Sequence, residues 1–253
     1  MSSPQHAPRT APERAGAPGD EGGGRGESGR MPQPGVDVPD RRGRTGLDLV
    51  GRDLDRNPRV RVRDVTVLTS NWYVTRATTF DYQHADGSWS VEERETYDRG
   101  DGATILLYEA SARTVLLTRQ FRFPVYVNEH PDGMFIETAA GLLDADDPET
   151  AIRREAEEET GHVVGAVEHV FDVYMSPGSV TERLHFFAAA YRRGDVVDGA
   201  RTGLADEGED IEVLELEFDD ALDRIGRDIV DAKTIMLLQW AALKGPFAAT
   251  PRA

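Results

Sequence analysis

The chain of 253 residues is long enough for one or two domains, and its 46 acidic against 29 basic residues leave a formal net charge of −17. That balance argues against nucleic acid as a partner, because such binding draws its affinity from Lys and Arg neutralising phosphates. With no cysteine there is neither a disulfide framework nor thiolate chemistry, and no apolar run approaches the length of a membrane span, so a cytoplasmic protein with no membrane partner is expected.

Residues 1–57 contain no Phe, Trp or Tyr, hold 7 of the 14 prolines and 11 of the 25 glycines, and balance 9 Arg against 9 acidic residues. Such a segment buries too little apolar surface to offset its ordering entropy, and it is predicted to be a disordered tail. All of the net charge therefore falls on residues 58–253, which suffice for one domain with a proper core. From Val60 the pattern alternates. VRVRDVTVL (60–68), WYVTRATTFDY (72–82) and SWSVEERETYD (88–98) read as strands, with Asp86-Gly87 turning the second into the third. They predict a small antiparallel N-terminal sheet over 58–98, followed by the main domain over 99–245.

ATILLYEA (103–110) and TVLLTRQF (114–121) read as a hairpin of buried strands, Phe123–Asp132 as a loop, and MFIETA (134–139) as a brief strand. AVEHVFDVYMS (166–176) and LHFFAAAYR (184–192) form a further strand pair around the turn Ser176-Pro177-Gly178. Residues 193–208 are rich in Gly and Asp and read as a long loop, of the kind that is usually functional or disordered. IEVLELEF (211–218) resumes as a strand. Asp219 or Asp220 is expected to cap a helix DALDRIGRD, and Asp231 a last helix AKTIMLLQWAAL whose Ile235, Leu238 and Ala242 face the core. Strands, a helix, more strands and terminal helices together predict an α/β domain with a mixed sheet.

The helix in the middle lies in AAGLLDADDPETAIRREAEEETG (139–161). Asp147 is a good N-cap, Pro148 suits the first helical position, and Gly161 is a natural stop. Ile152 and Ala156 share one stripe; Glu155 and Glu159 stack at i and i+4 on another, with Glu158 beside them. Hard cations favour such oxygen ligands. Acidic helix faces are usually just solvated, and repulsion at i and i+4 amounts to only about 0.2–0.5 kcal/mol, so this run alone does not demand a metal.

The whole string, Gly141, an acidic loop, then Arg154-Glu155-Ala156-x-Glu158-Glu159-x-Gly161, resembles the signature of the Nudix hydrolases. It departs from the usual pattern in a Gly-to-Glu spacing one residue short, in Asp147 where Glu is usual, and in His162 where an aliphatic residue is usual. YDRGDGATILLY (97–108), RQFR (119–122), ETAAGLLD (137–144), YMSPGSVTE (174–182) and EDIEVLEL (209–216) are similar to the branch that hydrolyses nucleoside-diphosphate sugars, with the GDP-mannose pyrophosphatases nearest in pattern. That branch shares the shortened spacing.

The resemblance implies a mixed sheet sandwiched between helices and Mg²⁺-dependent cleavage of a nucleotide sugar, with Mn²⁺ as a substitute ion. GDP-mannose is the first substrate expected and ADP-ribose the second; a non-catalytic nucleotide-sensing module is the alternative of another class. Glu155 and Glu159 are implied metal ligands, joined by the Ala140 carbonyl and by Glu209, which also helps activate water; Glu159 and Glu209 are the implied catalytic residues. Glu158 is either a further ligand or an Arg154 partner at i+4. Arg122 is either a phosphate clamp or a surface arginine, since guanidinium pairs bidentately with phosphate. Lys233, one of only two lysines, sits either at the site or at an exposed helix start. Glu182 is implied to contact the nucleotide or sugar, and Ala140 and Glu209 also to touch substrate. Tyr73 either stacks on the base or belongs to the core. Glu93, Arg94 and Glu95 are implied to reach substrate across a homodimer whose N-terminal sheets exchange, although Glu93 stands where Lys is usual. Gly208 stands where related enzymes can have another acid. The six histidines show no paired ligand spacing, and His162, His169 and His185 read as packing or surface residues.

Overall fold

A computed structural model describes residues 54, 56–143, 146–195 and 210–248. The expected tail over 1–57 thus lies almost wholly outside the described residues, as do Gly208, Glu209 and the expected long loop beyond Asp195. Three strands, β1 (Val60–Ser70), β2 (Val74–Gln83) and β3 (Trp89–Asp98), form an antiparallel sheet in the order β1-β2-β3. The main sheet holds β4 (Gly102–Glu109), β5 (Thr114–Phe121), β6 (Met134–Glu137), β7 (Ala139–Leu142), β8 (Val167–Tyr174), β9 (Arg183–Ala190) and β10 (Glu212–Glu217). Four helices complete the fold: α1 (Phe123–Tyr126), α2 (Pro148–Thr160), α3 (Phe218–Asp223) and α4 (Ala232–Leu243).

The strand order is β10-β5-β4-β9-β8, antiparallel except for the parallel β4–β9 pair. The β4–β5 hairpin is paired only near its turn, Leu107–Glu109 against Thr114–Leu116. Beyond it the two strands part, and the single strand expected over 134–139 is instead two short ones that fill the fork. Met134–Glu137 pairs with β5 and Ala139–Leu142 with β4. Thr138 marks the change of partner and is fully buried.

Alternate residues of the central strands feed two cores. Ile105, Leu107, Leu116 and Phe187 pack with Ile152 and Ala156 of α2 on one face. Leu106, Val115, Leu117 and Phe186 pack with Phe218, Leu237, Leu238 and Ala241 of α3 and α4 on the other. Burial on both faces explains why these strands read as unbroken apolar runs. The sheet is therefore sandwiched between helices, as expected.

Some local expectations are corrected. The Phe123–Asp132 loop contains the single-turn helix α1, with Arg122 as its N-cap and Pro124 in its first turn. The N-cap of α3 is Glu217, not Asp219 or Asp220, because the helix already begins at buried Phe218, whose ring packs on Phe247 at 4.1 Å. In α4 Ile235, Leu238 and Ala242 do face the core, the first and last partly buried, and Thr234, Leu237 and Ala241 are fully buried beside them. Asp231 caps α4 as expected, accepting from the Thr234 N–H at 3.0 Å.

The N-terminal sheet is joined to the main sheet through the end of β3. Tyr97 N–H donates to the Ser179 carbonyl and Thr181 N–H to the Tyr97 carbonyl, so the turn after β8 is hydrogen-bonded to β3. Beside it Arg76 and Asp98, both 2% exposed, form an ion pair at 2.5 Å. Removing one charge from a buried pair is strongly destabilising, whereas exposed pairs contribute little. Asp98→Asn is expected to lower the unfolding free energy by about 3 kcal/mol. Arg63→Ala, which removes the 2.7 Å pair to Asp81 from an exposed side chain, should cost under about 1 kcal/mol, both variants being measured by urea titration.

Candidate active site

Helix α2 forms as its caps dictate. The Asp147 carboxylate accepts from the N–H groups of Glu149 and Thr150, Pro148 opens the helix, and Gly161 closes it at φ 67°. Ile152 and Ala156 anchor it on the sheet, and Glu155 reaches from it to the backbone of β7. Glu159 is itself buried, only 5% exposed. Interiors hold an ionised carboxylate only against cations or hydrogen-bond donors, so this is a position for compensated charge. Arg154 is exposed and pairs with Asp146 at 3.0 Å and Glu155 at 3.3 Å; Glu158 acts on it through space.

Gly141 lies inside β7, paired with Ala103 of β4. Its requirement is steric. A Cβ there would meet Cγ and Cδ of Glu155 at 2.5 Å, so the bare strand is a cradle in which the Glu155 side chain lies against the backbone next to Ala140. A Cβ on Gly102 of the neighbouring strand would likewise meet the Gly141 carbonyl oxygen at 3.1 Å and Glu182 Oε1 at 3.4 Å, which brings Glu182 to the same edge. Carboxylates from α2, the Ala140 carbonyl beside the cradle and the buried Glu159 make an all-oxygen donor set, and these residues fit a hard divalent cation.

The cationic side of the site is organised by a residue absent from the expected set. Glu137, 3% exposed at the end of β6, accepts from Arg122 Nε at 2.7 Å and from Lys233 Nζ at 2.5 Å. Burial alone would raise its pKa, but the charges of Lys233 and Arg122 hold it below the ordinary value. Burial would lower that of Lys233, which Glu137 and Asp231 instead hold above its ordinary value, so the ammonium stays charged. The start of α4 is brought here by the fork: Thr138 N–H donates to Thr234 Oγ1 at 2.7 Å, and the Thr138 and Thr104 hydroxyls share a 2.8 Å hydrogen bond. The signal in the sequence was an acid within the short apolar strand MFIETA, since a buried acid needs cationic partners.

Glu182 is linked toward the N-terminal sheet. Arg99 lies 3.5 Å from Glu182 Oε1 and places its guanidinium 5.6 Å from the Tyr73 ring centroid. Burial raises the Glu182 pKa, with Arg99 and Lys233 opposing. Tyr73 stands edge-on to Tyr97 at 5.2 Å, half-buried rather than in the core. Arg99 lies within YDRGDGATILLY but was not among the expected site residues. Glu93, Arg94 and Glu95 are solvent-exposed on β3, and Arg94 is held by Glu92 at 3.0 Å and by the Glu93 carbonyl. The structure thus gathers Ala140, Glu155, Glu182, Arg122 and Lys233 around the fork, with Glu158 and Glu159 on the same helix as Glu155, and Tyr73 reaches that group through Arg99.

Because the group crowding Gly141 is a flexible side chain, Gly141→Ala is expected to keep the fold while displacing Glu155. Mn²⁺ affinity, measured by titration calorimetry, should fall about 10- to 100-fold.

A family model described as the GDP-mannose pyrophosphatase NudK N-terminal domain matches residues 59–97, and one described as the NUDIX domain matches residues 98–238. The chain is similar to a GDP-mannose pyrophosphatase of Pectobacterium atrosepticum, 54% identical over 184 residues that cover 72% of this chain and 93% of that protein. It is similar also to the GDP-mannose pyrophosphatases of Yersinia enterocolitica, 53% identical over 181 residues (71% and 93% covered), and Cronobacter sakazakii, 48% identical over 180 residues (71% and 93% covered). With its NUDIX domain match extending over the β-sheet, α2 and most of α4, the chain belongs to the Nudix family.

Proposed function

We propose that the protein hydrolyses the pyrophosphate bond of GDP-mannose, giving GMP and mannose 1-phosphate. The observation that carries the reading is the Glu155 side chain seated against the bare backbone of Gly141, with buried Glu159 one helical turn on. Relatives named GDP-mannose pyrophosphatases, matched over nearly their whole length, support the choice of substrate.

Glu155, Glu158, Glu159, the Ala140 carbonyl and Glu209 would hold a divalent cation, Mg²⁺ with Mn²⁺ as a substitute, which would neutralise diphosphate charge and acidify water. Arg122 and Lys233, steadied by Glu137, engage phosphate oxygens. Glu209 accepts a proton from the attacking water. The water oxygen bonds to one phosphorus as the bridging oxygen departs with the other phosphate. Glu182 contacts the nucleotide or sugar, and Tyr73 stacks on the base.

The working unit is a homodimer in the cytoplasm, in which Glu93, Arg94 and Glu95 reach the partner's substrate. Two observations support this: the three side chains are exposed, and a groove of about 360 Å³ opens beside them, lined by Val60, Val62, Val65, Arg76, Phe80 and Arg94. No helix among the described residues is long and apolar enough to cross a membrane.

The test is Mg²⁺-dependent hydrolysis of GDP-mannose, ADP-ribose, ADP-glucose and UDP-glucose by the wild-type protein and by Glu159→Gln. GDP-mannose should have the highest kcat/KM, and Glu159→Gln should lower kcat by about 100-fold or more with its melting curve retained. Preference for ADP-ribose would overturn the substrate, and full activity of Glu159→Gln would remove Glu159 from the site.

A further inference from the structure

Strands β8 and β9 carry a second group of ligand-type side chains, on the α2 face of the sheet. In a regular strand residues three apart point to opposite faces. His169 and Asp172 do not, because the pairing slips between them: His169 faces Phe187, Phe171 faces Phe186 and Asp172 faces His185, which leaves Val170 as an extra residue. Val170 and Phe171 both pack toward the α3–α4 core, the mark of a bulge. The slip resets the alternation, so His169, Asp172 and His185 share one face.

Their donor atoms converge. His169 Nε2 is 2.7 Å and His185 Nδ1 2.8 Å from the same oxygen, Asp172 Oδ1, and the three ligand atoms all lie within 4.8 Å of one another. Ligands of a tetrahedral Zn²⁺ at about 2.0–2.1 Å stand about 3.3 Å apart, so an opening of roughly half an ångström brings each imidazole–carboxylate contact to that spacing. Side-chain exposure falls from 52% at His169 through 35% at Asp172 to 10% at His185, which gives one fixed ligand and a route in from solvent. The His169 ring is supported by Phe187 at 5.4 Å.

The geometry points to a transition-metal site formed by His169, Asp172 and His185, selective for Zn²⁺ or a similar ion and separate from the carboxylate site of α2. Two imidazoles and one carboxylate suit Zn²⁺, Ni²⁺ or Cu²⁺ and serve Mg²⁺ poorly, while the all-oxygen set of α2 has the opposite preference. His185 is separated from Gly141 by one intervening strand, since Ala103 pairs with both; two strand spacings are about 10 Å, so the sites are neighbours that do not share ligands. An ion here would tie edge strand β8 to β9 just below the turn that leads to Glu182.

The experiment is Zn²⁺ titration of the full chain by calorimetry in excess Mg²⁺, repeated with Co²⁺ to read the visible absorption of a low-coordinate ion. Wild-type protein and Glu159→Gln are expected to bind one Zn²⁺ per chain in the presence of Mg²⁺. His169→Gln, at an exposed position that leaves fold and basal hydrolysis unchanged, and His185→Gln should each weaken binding about tenfold or more and erase the Co²⁺ spectrum. Absence of Zn²⁺ binding to the wild type, equal binding by His169→Gln, or loss of binding in Glu159→Gln would each overturn the proposal. The last outcome would place the ion in the carboxylate site instead.

Discussion

Strands β4 and β5 are hydrogen-bonded to each other only at their turn end, and beyond it both expose backbone N–H and C=O groups inside a two-sided core. Such groups must be paired, since each buried orphan costs about 1–3 kcal/mol. The chain meets the requirement by threading 134–142 into the opening, bonded first to β5 and then to β4, with Thr138 at the crossover. Threonines line this seam because a hydroxyl can satisfy the backbone groups that change partner. Thr118 donates to the Glu137 carbonyl and Thr104 to that of Ala139. The parted strands place the Gly141 backbone, the Glu137 carboxylate and the start of α4 around one opening.

On the proposed function, that arrangement is also how a strongly acidic protein prepares for an anionic substrate. On the cationic side, Glu137 orders Arg122 and Lys233 although they are distant in sequence, and its own burial makes both ion pairs matter more than surface pairs of the same length. Across the opening, Glu155, Glu158 and Glu159 offer negative charge to a cation. The two sides suit opposite components of a metal–phosphate complex, and strands and helices carry the described residues of both.

The β8 bulge applies the same principle on a smaller scale. One extra residue, Val170, changes which face His169 occupies and so brings together two histidines that are sixteen positions apart. A register slip thereby sets the chemistry of an entire face.

Much of the framework was legible along the chain. Helix α2 ran from cap to stop as read, the strands fell where alternation and apolar runs indicated, and the acids of the α2 signature lay on the face that their spacing required, because each of these depends on neighbours within a turn or two. Tertiary structure alone decided what lay between. It made Gly141 a cradle within a strand, divided 134–139 between two partners, gave Glu137 to Arg122 and Lys233, and joined His169 to His185. The physical reason is that hydrogen-bonding demand in a forked sheet, and the phase of a bulged strand, are set by segments far apart in sequence: Lys233 is 96 residues from the carboxylate that holds it.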